Sequence, residues 1–169
     1  RYSIEVSLLK NVATITLDTT GPGLHKRGYR KLVTEAPIKE TLAAAMVLLS
    51  RWHPDRPFLD PCCGSGTIPI EAALIGHNLA PGLHRTFDAE AWGCIPARVW
   101  EEAREEGFDL ADYDRKLDIR GSDIDPGALD LAQQHLRAVG LSRSVRLERR
   151  ALQDLGKDAP YGYLITNPP

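Results

Sequence analysis

Two short stretches carry residues that could do chemistry. The first is Asp60-Pro61-Cys62-Cys63-Gly64-Ser65-Gly66-Thr67, between the apolar run Pro57-Phe58-Leu59 and the helix-like run Ile68 to Ile75. Strand, glycine turn and helix in that order form the edge at which an open α/β sheet binds a nucleotide-like ligand. Gly64 and Gly66 let backbone approach a ligand closely, because no Cβ intervenes, and the helix behind them offers free N–H groups. The third glycine of the dinucleotide pattern is replaced by Pro69. Asp60 would repel a phosphate and suits a cationic or hydroxyl-rich ligand. The second stretch is Thr166-Asn167-Pro168-Pro169, after the apolar Tyr163-Leu164-Ile165.

An amine on an aromatic base is a poor nucleophile, since its lone pair is delocalised into the ring. Acceptors aimed at its N–H groups favour a pyramidal nitrogen. Asn167 offers a side-chain carbonyl and Pro168 a backbone carbonyl, and proline stiffens the turn that presents them. Paired with a turn suited to S-adenosylmethionine (SAM), which carries an ammonium and a sulfonium but no phosphate, the motif implies methyl transfer to an exocyclic amine of a nucleic-acid base. Asp123, ending a second strand, is the candidate for a ribose diol. Asp125 precedes Pro126 and reads as a helix cap. Asp154 could accept from an adenine amino group or serve as a loop or capping acid. Cys62 and Cys63 read as packing residues, with no cationic neighbour to activate a thiolate.

The elements that must position these residues follow from periodicity. Residues 2–18 alternate as a β-hairpin turning near Lys10-Asn11. The basic segment His25 to Arg30 follows as a loop. A helix begins near Ala36-Pro37, with Ile38, Leu42, Ala45, Met46 and Leu49 on one apolar face. After the helix at 67–76, residues 77–117 read as a helical insertion on the ligand edge of the sheet. Strands follow at 117–125, 145–147 and 161–165, with a helix after Asp125 closed by Gly140. The fold class is α/β, Rossmann-like, ending after the fourth parallel strand.

The chain has 169 residues and a net charge of -2, which does not advertise a nucleic-acid binder. Arg1 to Lys39, however, hold seven basic and three acidic residues, a local +4, and such a cluster can attract phosphate. No apolar run approaches the roughly 20 residues of a membrane span, and no Cys/His spacing resembles a zinc site. Three cysteines, two of them adjacent, fit a reduced cytosolic setting.

The combination resembles the catalytic region of the THUMP-associated RNA guanine-N2 methyltransferases. The matching pieces are Leu24 to Arg30, Ala36 to Ala44, Asp60 to Thr67, Gly121-Ser122-Asp123-Ile124-Asp125 and Asn167-Pro168-Pro169. The resemblance implies a SAM-dependent fold methylating guanine N2 in ribosomal RNA, most like the bacterial 23S enzymes. By it, residues 1–35 are a hairpin and basic linker after an upstream THUMP domain, and 36–169 a partial catalytic domain. Lys39, Glu40 and Thr41, with Asp60, Cys62, Gly64, Ser65, Gly66 and Thr67, would line the methionine end of SAM. Asp123 and Ile124 would hold the ribose and Asp154 the adenine. Asn167, Pro168 and Pro169 would hold the target amine, and the basic segment with Lys26, Arg27 and Arg30 would lie near the cofactor or contact RNA. The family motif continues with an aromatic residue after the second proline, which this sequence does not include. Competing readings are a tRNA guanine-N2 or DNA adenine-N6 methyltransferase, a nicotinamide-dependent oxidoreductase and a noncatalytic RNA-binding module.

Overall fold

A computed structural model describes residues 2–30, 38–156 and 161–168. The leading alternation forms the expected hairpin. β1 (Ser3–Leu9) pairs antiparallel with β2 (Val12–Asp18). Lys10 and Asn11 both take positive φ, 49° and 61°, which matches the turn to the twist of its strands. The hairpin's base is tied to the later chain. The Ala89 N–H donates to the Thr19 carbonyl, the Arg85 guanidinium donates to the carbonyls of Thr20, Pro22 and Gly23, and Tyr2 lies on Trp92 with ring centroids 4.9 Å apart.

The core is a four-stranded parallel sheet ordered β5-β4-β3-β6. Its strands are β3 (Phe58–Asp60), β4 (Ile119–Asp123), β5 (Val145–Arg149) and β6 (Tyr163–Leu164). Period-2 alternation divides its faces. The row Phe58, Ile119, Val145 is buried, under α2 (Thr67–Gly76) and α4 (Pro126–Ala138). The next row, Leu59, Arg120, Arg146 and Leu164, lines a cavity of about 280 Å³ on the opposite face. Consecutive right-handed crossovers running in one direction put both helices on one side. α2 is buried on nearly every side because α1 (Glu40–Leu49) packs over it.

Two expectations are corrected. The buried face of α1 is Glu40, Ala43 and Val47; of the expected face, Ile38 and Met46 pack against the core, while Leu42 and Leu49 are exposed. The helix is apolar nearly all round, so its pattern does not single out a face, and the face it buries carries the Glu40 pair with Arg30. Residues 36 and 37, where the helix was expected to begin, lie outside the described residues. The insertion, which contains α3 (Ala97–Asp109), leaves from the C-terminal end of α2 and closes back there. The Asp112 N–H donates to the His77 carbonyl at 2.8 Å, and Asn78 Nδ2 to the Leu110 carbonyl at 2.9 Å. It is therefore rooted at the edge opposite the glycine turn, as a helix returning to the start of the next parallel strand requires.

A strap at residues 27–30 fastens the helical layer. Arg27 pairs with Glu71 of α2 at 3.3 Å, and the Tyr29 hydroxyl donates to the same carboxylate at 3.1 Å. Burial raises the Glu71 pKa, opposed by Arg27 and the two hydrogen bonds. Arg30 donates to Thr67 Oγ1 at 2.7 Å and to the Ile38 carbonyl at 3.0 Å, and pairs with Glu40 at 3.6 Å. It thus staples the start of α1 to the start of α2. Glu71→Ala leaves the Arg27 guanidinium buried without its counter-charge and is expected to cost about 3–5 kcal/mol. Arg27→Met combined with Glu71→Leu is expected to recover most of that, as read by urea denaturation of both variants.

Candidate active site

The strand order reverses beside β3. From β3 the chain steps to β4 and β5 on one side, then returns to lay β6 on the other. Carboxyl ends of strands at such a switch point are where open α/β sheets take ligands. Both chemistry-bearing motifs arrive there, one at the end of β3 and the other at the end of β6.

Asp60 joins them. Its side chain is 1% exposed, and its Oδ1 accepts from the Cys62 N–H at 3.2 Å and from Thr166 Oγ1 at 2.7 Å. Burial raises the Asp60 pKa to about 6, despite those two bonds, and the nearby Asp123 carboxylate pushes the same way. No described residue donates to Oδ2.

The turn that follows is held by its backbone. The Cys63 N–H donates to the Ser122 carbonyl at 2.9 Å, and the Gly66 N–H to the Cys63 carbonyl at 2.8 Å. Gly64 and Gly66 have φ of 52° and 82°, a region that L side chains rarely occupy. A Cβ on Gly64 would project into open space, whereas one on Gly66 would stand 2.9 Å from the Ala132 Cβ of α4. Asp123 reaches across from β4, its Oδ2 accepting from the Gly64 N–H at 2.8 Å and its Oδ1 from the Asp125 N–H at 3.0 Å. Each oxygen keeps lone-pair capacity for a further donor. Asp125 caps α4 by accepting from the Gly127 N–H at 2.8 Å.

The remaining site candidates fall into three groups. Ser65 and Thr67 are buried within the turn, Thr67 as the acceptor for Arg30. Lys39 is the N-terminal cap position of α1, and Glu40 and Thr41 begin that helix. Arg30 brings all three beside the start of α2, with the Glu40 carboxylate turned into the Arg30 pair. Ile124 and Asp154 are exposed, Asp154 on a short 3-10 turn at Leu152–Asp154 beyond β5, and no described residue bonds its side chain. Asn167 and Pro168 are exposed beyond Thr166, and Pro169 lies outside the described residues. Cys63 is buried and its thiol pKa is pushed up by that burial and by Asp60 and Asp123, so it stays protonated and packs against Gly121.

The expectation that Arg27 and Arg30 face RNA is corrected. Their side chains are 11% exposed and committed to Glu71 and Glu40, leaving Lys26 as the exposed cation of the segment. Sequence reading also missed His135. It is buried, and its Nδ1 lies 3.1 Å from the Ser65 carbonyl, while Ala132 sits under Gly66. One face of α4 thus shapes the turn. Their spacing of three residues on the apolar face of that helix was the available signal.

Two carboxylates converging on a glycine turn, with the N-terminus of α2 carrying no side-chain cap, suit a ligand that is cationic at one end and hydroxyl-bearing at the other. Among the described residues no cluster of His, Cys, Asp or Glu could hold a metal ion, and no helix is long and apolar enough to cross a membrane.

Fold and site together define a Rossmann-like methyltransferase domain. The chain belongs to the UPF0020 family, described as the RMKL-like methyltransferase domain, which matches residues 27–169. It is 49% identical over 168 residues to YpsC of Bacillus subtilis (strain 168), a candidate RNA methyltransferase, covering 99% of this chain and 44% of YpsC. Among solved structures, it is similar to SMU.472, a candidate methyltransferase complexed with S-adenosylhomocysteine (SAH), at 50% identity and a TM-score of 0.91. It is also similar to a predicted N6-adenine-specific DNA methylase from Listeria monocytogenes, at 52% identity and a TM-score of 0.92. Each structural match covers 99% of this chain and 44% of the other, so the chain spans less than half the length of these relatives.

Asp60 titrates near 6 in the fold and near 3.9 in an unfolded chain, about 2 units lower. The native state holds that proton more tightly, so its contribution to stability falls as pH rises from about 4 to 6, by at most about 3 kcal/mol. Glu71 adds a slope of the same sign. The difference between wild type and Asp60→Asn in urea denaturation across that window isolates Asp60, and is expected to show the wild type losing stability relative to the variant. Gly66→Ala is expected to cost about 1–3 kcal/mol in backbone strain alone, before the contact with Ala132, measured the same way.

Proposed function

We propose that this domain transfers a methyl group from SAM to the exocyclic N2 of guanine in RNA, with ribosomal RNA of the large subunit as the substrate. The observation that carries the reading is the meeting of Asp60 and Thr166-Asn167-Pro168 at one switch point. The relative with bound SAH and the RNA assignment of YpsC support cofactor and substrate class. Resemblance to the THUMP-associated enzymes motivates the guanine-N2 and 23S assignments.

SAM, when bound, supplies an activated methyl group on a sulfonium. The residues of this chain bind and orient. Asp60 Oδ2 is free of described donors and would take the ammonium. The Asp123 oxygens retain capacity for a ribose diol. Gly64 leaves open space over the turn, and the first N–H groups of α2 face the same edge. Asn167 and Pro168 accept from the amine N–H groups and set the nitrogen lone pair in line. Positioning is the main source of acceleration in such a displacement. The three free cysteines suit a cytosolic setting.

The DNA methylase description of the Listeria relative favours adenine N6 as the second reading, because the same two acceptors can hold that amine. Incubating the intact protein with labelled SAM and unmodified RNA or DNA, then identifying the labelled nucleoside by mass spectrometry, separates them. N2-methylguanosine in large-subunit RNA is the expected product; N6-methyladenine in DNA would replace the reading. Asn167→Ala is expected to lower transfer by roughly 100-fold while leaving SAH affinity, read by calorimetry, near the wild-type value.

A further inference from the structure

Beyond Ile165, whose N–H donates to the Leu59 carbonyl at 3.0 Å, the ladder between β3 and β6 stops. Asn167 and Pro168 follow immediately and are exposed. Proline has no N–H to anchor it. Among the described residues, one hydrogen bond holds the segment 166–168, that from Thr166 Oγ1 to Asp60 Oδ1. The same oxygen accepts from the Cys62 N–H at the mouth of the cofactor turn. A single buried oxygen atom is therefore shared by the two turns, and Thr166 reaches it from 106 residues along the chain.

We infer that Thr166 is a positioning residue whose hydroxyl couples cofactor occupancy at the glycine turn to the order of the acceptor turn at Asn167-Pro168. The inference rests on the reading that SAM or SAH sits at Asp60. A hydrogen bond to an ionised carboxylate is roughly twice as strong as one between neutral groups. Asp60 is poised between its two forms near pH 6. A ligand ammonium beside it holds the carboxylate ionised, so the bonds from Thr166 and Cys62 tighten together. The acceptor turn is then fixed when the methyl donor is present and looser when it is absent. Coupling of this kind is reciprocal, so a base held by Asn167 and Pro168 strengthens cofactor binding by the same factor.

The test is hydrogen–deuterium exchange near pH 6 on the intact protein with and without SAH, comparing wild type, Thr166→Ser and Thr166→Val. In wild type, SAH is expected to slow exchange both in peptides over 62–66 and in peptides over 161–167, including the Thr166 and Asn167 amides. Thr166→Ser keeps both effects. Thr166→Val keeps the first and loses the second, and its kcat on RNA falls roughly tenfold with a smaller change in KM for SAM. SAH protection of 161–167 in Thr166→Val equal to that in wild type overturns the coupling. So does wild-type protection confined to 62–66, which leaves the cofactor site standing. Protection of neither segment overturns the coupling together with the assignment of SAM to this turn.

Discussion

β3 is three residues long and has a parallel neighbour on each side. It ends in a carboxylate that is almost wholly removed from water. That carboxylate is the constraint around which the site is built. Burying an acid without a counter-charge is unfavourable, and here the cost is only partly offset by two donors, one of them the Thr166 hydroxyl. The charge that acts on it is another acid, Asp123. Two acids are held close to one uncapped helix end, so a cation completes the arrangement. Packing alone gives no reason to place an acid here; a perturbed carboxylate in a ligand crevice is a signature of function.

The surrounding charges are spent on fixing the frame. Arg27 and Arg30 read as a basic patch in the sequence, yet both are consumed by Glu71 and Glu40. Buried ion pairs of this kind contribute little net stability compared with apolar packing, but losing one partner is costly. Their effect here is geometric. Arg30 touches Ile38, Glu40 and Thr67 at once, so the starts of α1 and α2 cannot move independently. His135 and Ala132 brace the turn from α4, and Asp123 braces it from β4. The glycine turn is thus gripped on three sides and open on the fourth, above Gly64.

The sequence made the hairpin, the parallel strands, the glycine turn and the Asp125 cap legible, because each rests on local chemistry. Positive φ at Lys10 and Asn11 follows from a two-residue turn, and Gly64 and Gly66 mark their own conformations. What stayed hidden depends on pairings across the chain. The pattern of α1 pointed to Leu42 and Leu49, but nothing local announces that Glu40 is turned inward by an arginine ten residues earlier. The root of the insertion was misplaced because composition shows its length and not where it closes; the strand-to-strand crossover fixes that. His135 looks like an ordinary helical polar residue until the Ser65 carbonyl is placed beside it. The Asp60–Thr166 bond joins two motifs that were each legible, but only the return of β6 to the far side of β3 makes them neighbours.

That neighbourhood also bears on how a methyl group could move without a strong base. Cys63, a buried thiol beside the acids, is kept protonated by its burial and by their charge. Asp60 Oδ1 is occupied by Cys62 and Thr166, and the carboxylate is buried rather than open to solvent. Asn167 and Pro168 offer carbonyl oxygens, which accept hydrogen bonds but do not take protons at neutral pH. An amine that attacks through its lone pair becomes cationic first and sheds its proton afterwards, and carbonyl dipoles aimed at its N–H groups stabilise that developing charge. What such a site needs is correct distance and angle between donor and acceptor, not a tuned base. The hydrogen bond from Thr166, the residue before Asn167, to Asp60 ties the acceptor turn to the glycine turn and so bears on that distance directly.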